Sequence, residues 1–141
     1  MEPLDLREHP PRAPHAALEG VVLLPRTIDK ARALLPGGNP GVYFIGPGIS
    51  SSLLEMLRIS EDEFVAAVGA ARDDAEVAAR VCANASPERR ARWTAAIEGL
   101  TVAGVPTETR PFFDSLYGPR RPYELVLDVL ASDDDAMFAL T

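Results

Sequence analysis

A chain of 141 residues with 47% hydrophobic and 25% charged side chains has the length of one domain and is too apolar to stay disordered throughout. Its net charge of −7 argues against a non-specific grip on nucleic acid, and its longest uncharged apolar runs fall far short of a membrane span. Neither kind of partner is expected. Cys82 is the one cysteine, which excludes an intrachain disulfide. The amino end lacks the basic and apolar regions of a signal peptide, so the expected location is the cytoplasm.

In chain order, Pro3, Pro10, Pro11 and Pro14 deny a helix to the first residues and predict an extended Pro-rich arm over 1–19, packed on or beside a single helical domain over 20–141. The apolar run Gly20 to Leu24 reads as a short strand or a buried stretch. A helix follows over Thr27 to Leu35, with Thr27 as its cap, Asp29 in its first turn and Ile28, Ala31 and Leu35 on one buried face. Pro36 to Gly41 ends it, and Val42 to Ile45 is a brief strand or extended link before Gly46-Pro47-Gly48.

Four helix starts then recur. One of Ser50, Ser51 and Ser52 caps a helix to about Arg58, and Ser60 with Glu63 forms a capping box before Phe64, Val65 and Val68. Asp73 with Glu76 repeats the device before Val77 and Val81, and Ser86 with Pro87 opens a helix carrying Trp93, Ile97 and Leu100. Two more helices are expected, from near Pro111 to Tyr117 and from near Pro122 to Ala131. The fold expected is all-α: a compact bundle of five to seven short helices with at most a tiny β element near Val42 to Ile45.

The run LPRTIDKARA over residues 24–33 follows Gly20-Val21-Val22-Leu23 and the proline-rich lead-in. Further landmarks are Tyr43, Leu53-Leu54 to Leu57 before Ile59, Glu63-Phe64, Asp73 to Val77, Ala91-Arg92-Trp93, and Arg110 with Phe112-Phe113. With the LPRxIDKARA run as its specific part, this series resembles the bacterial domain-of-unknown-function family 5069. The resemblance implies no assigned activity.

The sharpest polar constellation lies in the same run: Arg26, Asp29, Lys30 and Arg32, with Tyr43 brought near by the turn after Leu35. Lys30 is the only lysine beside thirteen arginines. One reading makes these five residues a site for an anionic ligand, phosphate or carboxylate, because a helix amino end and its cations supply donors and charge. The other makes them structural, with Asp29 fixing Arg26 or Arg32 while Thr27 caps the helix.

Other groups carry less. His9 and His15 lie in the arm with no zinc spacing around them, and Asp133-Asp134-Asp135 lacks a calcium loop's pattern and reads as an acidic cap or solvated turn. No metal site and no cofactor are expected. Trp93, flanked by Arg89, Arg90 and Arg92, is either a core residue or a stacking platform. The apolar tail Met137, Phe138 and Leu140 docks on its own domain or on a second copy, which keeps a homodimer open. Two functions follow: a non-catalytic binding or interaction module with a protein partner, or a small-molecule enzyme or binding protein using the anion site.

Overall fold

In a computed structural model, which describes residues 1–139, seven α-helices and two 3-10 turns surround a buried core, and a two-stranded antiparallel hairpin is the only sheet among the described residues. The hairpin pairs β1 (Ala17–Leu18) with β2 (Val21–Val22), Ala17 opposite Val22 and Leu18 opposite Val21. Its two-residue turn, Glu19-Gly20, has both φ angles positive, at 53° and 71°, the geometry that matches the twist of the flanking strands. The β element thus falls at the run beginning near Gly20. No strand forms at Val42 to Ile45, where the Tyr43 N–H closes a turn onto the Pro40 carbonyl at 3.0 Å.

Helix α1 spans Leu24–Ala33, starting three residues before the expected Thr27. Pro25 supplies a preset φ and needs no N–H partner in the first turn, so the chain turns helical there. Leu23 precedes it in the left-handed region at φ 68°, a conformation costing a branched residue roughly 1–3 kcal/mol and held by the full burial of its side chain. Thr27 is therefore no cap. Its hydroxyl bonds back to the Leu23 carbonyl at 2.7 Å, and Asp29 sits in mid-helix. Ile28 and Ala31 are fully buried, whereas Leu35 lies beyond the helix end and is half-buried. Gly38 closes the following turn; a Cβ there would meet the Ala33 carbonyl oxygen at 2.6 Å.

The capping signals in the middle of the chain act largely as read. In α3 (Glu61–Ala70) Ser60 accepts the Glu63 N–H at 3.1 Å while Glu63 accepts the Ser60 N–H. Asp73 caps α4 (Asp74–Val81), and Ser86 with Pro87 opens α5 (Pro87–Glu98). Before α4, in chain order, α2 (Ile49–Leu57) takes Gly48 at its cap position; the Ser51 hydroxyl reaches back to both polar atoms of the Gly48 backbone. Ser50 and Ser52 turn elsewhere.

Helix α6 is Arg110–Tyr117, and the last helix, α7, is Val126–Phe138 rather than the segment from Pro122 to Ala131. Backbone bonds explain the shift. Val102 N–H reaches the Glu124 carbonyl at 2.8 Å and Val126 N–H the Leu100 carbonyl at 2.9 Å, which holds Leu125 extended in a bridge to Thr101 and lets the helix begin only after it. The helix then continues through Asp133, Asp134 and Asp135, so these three are neither a cap nor a solvated turn. Met137 stays 40% exposed at its end, and Leu140 lies outside the described residues.

Helix α1 packs on α3, and α5 packs on β2, α2 and α7. Leu23, Leu24, Ile28, Leu53, Leu57, Phe64, Val68 and Leu127 form the dry centre. The first residues lie across this core: Leu6 is buried, its N–H meets the Asn39 carbonyl at 2.8 Å, and the Met1 amino group meets the Ala71 carbonyl at 2.6 Å. Among the described residues no helix is long and apolar enough to cross a membrane.

Candidate functional site

Nine of the ten residues of α1 are buried, so the helix has no solvated face and its charged side chains must find partners inside the protein. Three segments supply them. Residues around Arg12 cover one side, the first turn of α2 with Tyr43 of the loop before it covers another, and the carboxyl half of α7 covers the third.

Arg26, only 3% exposed, forms a two-pronged ion pair with Asp134, Nη1 to Oδ2 at 2.6 Å and Nη2 to Oδ1 at 3.1 Å. The Tyr43 hydroxyl donates to the same Oδ1 at 2.7 Å, and its ring lies 5.5 Å from the guanidinium carbon. Burial, and the proton shared toward Asp134, push the Tyr43 phenol well above its ordinary range. Arg26 pairs with Asp134 and not with Asp29. The carboxylate fills the position between guanidinium and phenol where an anion would sit.

Lys30 lies one turn along, 8% exposed, with its ammonium 3.2 Å from Ser50 Oγ. Ser50 Oγ is also 3.3 Å from Thr27 Oγ1, whose own proton goes to the Leu23 carbonyl, so Ser50 turns its proton to Thr27 and a lone pair to Lys30. Desolvation, helped by the nearby Arg26 charge, brings the Lys30 pKa down to about 7, against a smaller opposing pull from Asp134.

Asp29 points the other way. It accepts from the Arg12 backbone N–H at 2.8 Å and from the Arg12 guanidinium at 3.1 Å, while Arg32 stands off at 4.0 Å. Arg12 bonds Asp74 as well, at 2.6 Å, and this holds the Asp74 carboxyl below its usual range. Of the five residues singled out from the sequence, the fold gathers Arg26, Lys30 and Tyr43 near Asp134 and separates Asp29 and Arg32 into the Arg12 cluster.

Asp134, Ser50, Arg12 and Asp74 went unforeseen. Asp134 did carry a signal, since Leu127, Leu130 and Asp134 recur at i, i+3 and i+7 and share the inner face of α7. Arg12 carried none, being placed by an irregular segment without periodicity.

The span from Glu8 to Asp135 takes in both ends of this network, and it is the span over which a family described as Domain of unknown function (DUF5069) matches the sequence. The chain belongs to that family. Among curated proteins, none matches the chain.

A cleft of about 480 Å³ is walled by α2, the end of α5, α6 and α7. Its surface is mainly apolar, with Phe112, Phe113, Leu116, Tyr117 and Leu130 in the wall and Glu55 at the α2 side. Tyr117 packs its ring 4.9 Å from Phe113, and burial raises its phenol pKa. Trp93 is half-buried and donates from Nε1 to Ser52 Oγ at 3.1 Å, so it touches the wall of the cleft from behind. A second, shallower hollow of about 280 Å³ lies beside Cys82, whose thiol is pushed up by burial and is correspondingly unreactive. Among the described residues no group of three or more His, Cys, Asp or Glu is placed to hold a metal. His15 pairs with Asp128 at 2.8 Å on the surface.

Proposed function

We propose that the chain is a non-catalytic binding module that takes a small molecule with a largely apolar body in the cleft between α2, α6 and α7. The observation carrying this reading is that Arg26 and Arg12 of the cluster around α1 already hold carboxylates while the apolar cleft is open. Arg26, Tyr43, Asp29 and Arg12 are bonded to one another or to Asp134 and Asp74, whereas the cleft is concave, apolar and within the volume range of small-molecule sites. For an anionic ligand to use Arg26 and Tyr43 it must first displace the Asp134 carboxylate, which is covalently tethered and already desolvated there. That exchange costs three charge-assisted hydrogen bonds before any new one forms.

The test is a fragment screen read by backbone NMR on the parent and on Leu116→Arg. Leu116 is 38% exposed, so the substitution places a cation in the mouth of the cleft without entering the core. Apolar fragments should shift resonances of α2, α6 and α7 in the parent and lose binding in the variant at an unchanged melting temperature. Hits whose shifts centre on Lys30, Tyr43 and Asp134, and which survive Leu116→Arg, would favour the anion site instead.

A further inference from the structure

Resting on that binding reading, we infer that the occupant of the cleft is an organic cation, an ammonium carried on an apolar or aromatic body. Glu55 is the one ionised side chain in the wall, and among the described residues it has neither an ion-pair nor a hydrogen-bond partner from its carboxylate. What distinguishes it is its place: it is the carboxylate that lines this cleft, whose other walls are mainly apolar or aromatic.

The rest of the wall suits the same charge. Phe112, Phe113 and Tyr117 line the cleft, and an aromatic ring attracts a cation through its negative quadrupole, the more strongly as water is removed. Phe112 is 40% exposed at the mouth, and its ring stands 6.1 Å from Phe44, extending the aromatic rim toward the loop before α2. A neutral guest would leave the Glu55 carboxylate without a counter-charge, and an anion would meet both that carboxylate and the field of a chain with net charge −7. An ammonium next to Glu55 with its body against Phe113, Leu116 and Leu130 satisfies charge and apolar surface together.

The experiment uses the full chain and two probes of matched shape, 4-phenylbutylammonium and 4-phenylbutan-1-ol, titrated at low and at moderate salt. Fluorescence of Trp93, the single tryptophan, reports the cleft through its bond to Ser52, and calorimetry gives the stoichiometry. The ammonium should bind more tightly than the alcohol, and Glu55→Gln should weaken the ammonium about fivefold at low salt while leaving the alcohol unchanged. Equal binding of both probes, or an ammonium affinity indifferent to Glu55→Gln, overturns the cation assignment and leaves the binding reading standing. If neither probe binds, and none of the apolar fragments shifts the cleft resonances, both readings fall. A variant that melts normally is assured by the position of Glu55 on the exposed side of α2.

Discussion

Replacing Lys30 with methionine should make the protein more stable near neutral pH, although it deletes a charge and a hydrogen bond. The side chain keeps its length and apolar stem, so the site stays filled. In the unfolded chain the ammonium titrates near 10.5, and in the fold at about 7. Each pKa unit is about 1.4 kcal/mol, so holding the charged form inside costs on the order of 4–5 kcal/mol at pH values below the folded pKa. The bond to Ser50 Oγ, long at 3.2 Å, returns about 1 kcal/mol that methionine forgoes. The variant should therefore gain roughly 3 kcal/mol at pH 7.

Because the unfolded state keeps its proton between pH 7 and 10.5 and the folded state does not, the parent gains stability as pH rises through that window, by about 1.4 kcal/mol per unit at its centre. The advantage of Lys30→Met should then shrink to about 1 kcal/mol by pH 9. Urea denaturation of both proteins at pH 6, 7, 8 and 9 measures this, and taking the difference cancels the phenol and thiol titrations common to both. A variant less stable than the parent at pH 7, or a difference that does not move with pH, would refute the argument that Lys30 is a desolvated amine.

Further expectations concern the partners and the core. Asp134→Asn leaves the Arg26 guanidinium buried without its counter-ion and should cost about 3–5 kcal/mol in urea denaturation; a loss under 1 kcal/mol would mean the pair is solvated. Asp29→Asn should lower stability by about 1–3 kcal/mol by weakening the clasp on Arg12, with fragment binding in the cleft unchanged as read by calorimetry. Ile28→Ala, at a fully buried position, should cost on the order of 2–5 kcal/mol, and a melting temperature equal to the parent's would remove that residue from the core. Ser60→Ala should cost about 1 kcal/mol and raise amide exchange selectively at Glu63 and its neighbours in the first turn of α3.

Local signals carried the helices whose ends are set by their own side chains. Ser60 with Glu63, Asp73 and Ser86 with Pro87 each cap within three residues, so reading them needs no knowledge of the rest of the molecule. The burial of Ile28 and Ala31 followed from helical periodicity for the same reason, as did the family resemblance, which rests on a contiguous run. Where a distant strand of backbone sets the boundary, the sequence misleads. The bridge between Thr101 and Leu125 delays α7 past Pro122, and a left-handed Leu23, held by burial, lets α1 begin ahead of Thr27.

The polar cluster divides along the same line. Its members in α1 were legible because they stand close together, but the sorting of Arg26 to Asp134 and of Asp29 to Arg12 joins residues 108 and 17 positions apart. Which carboxylate meets which cation is decided by the elements that close over α1, since a buried charge is held by whatever covers it. The same closure sets the Lys30 amine near neutrality, because desolvation belongs to the surroundings of a side chain and not to its identity.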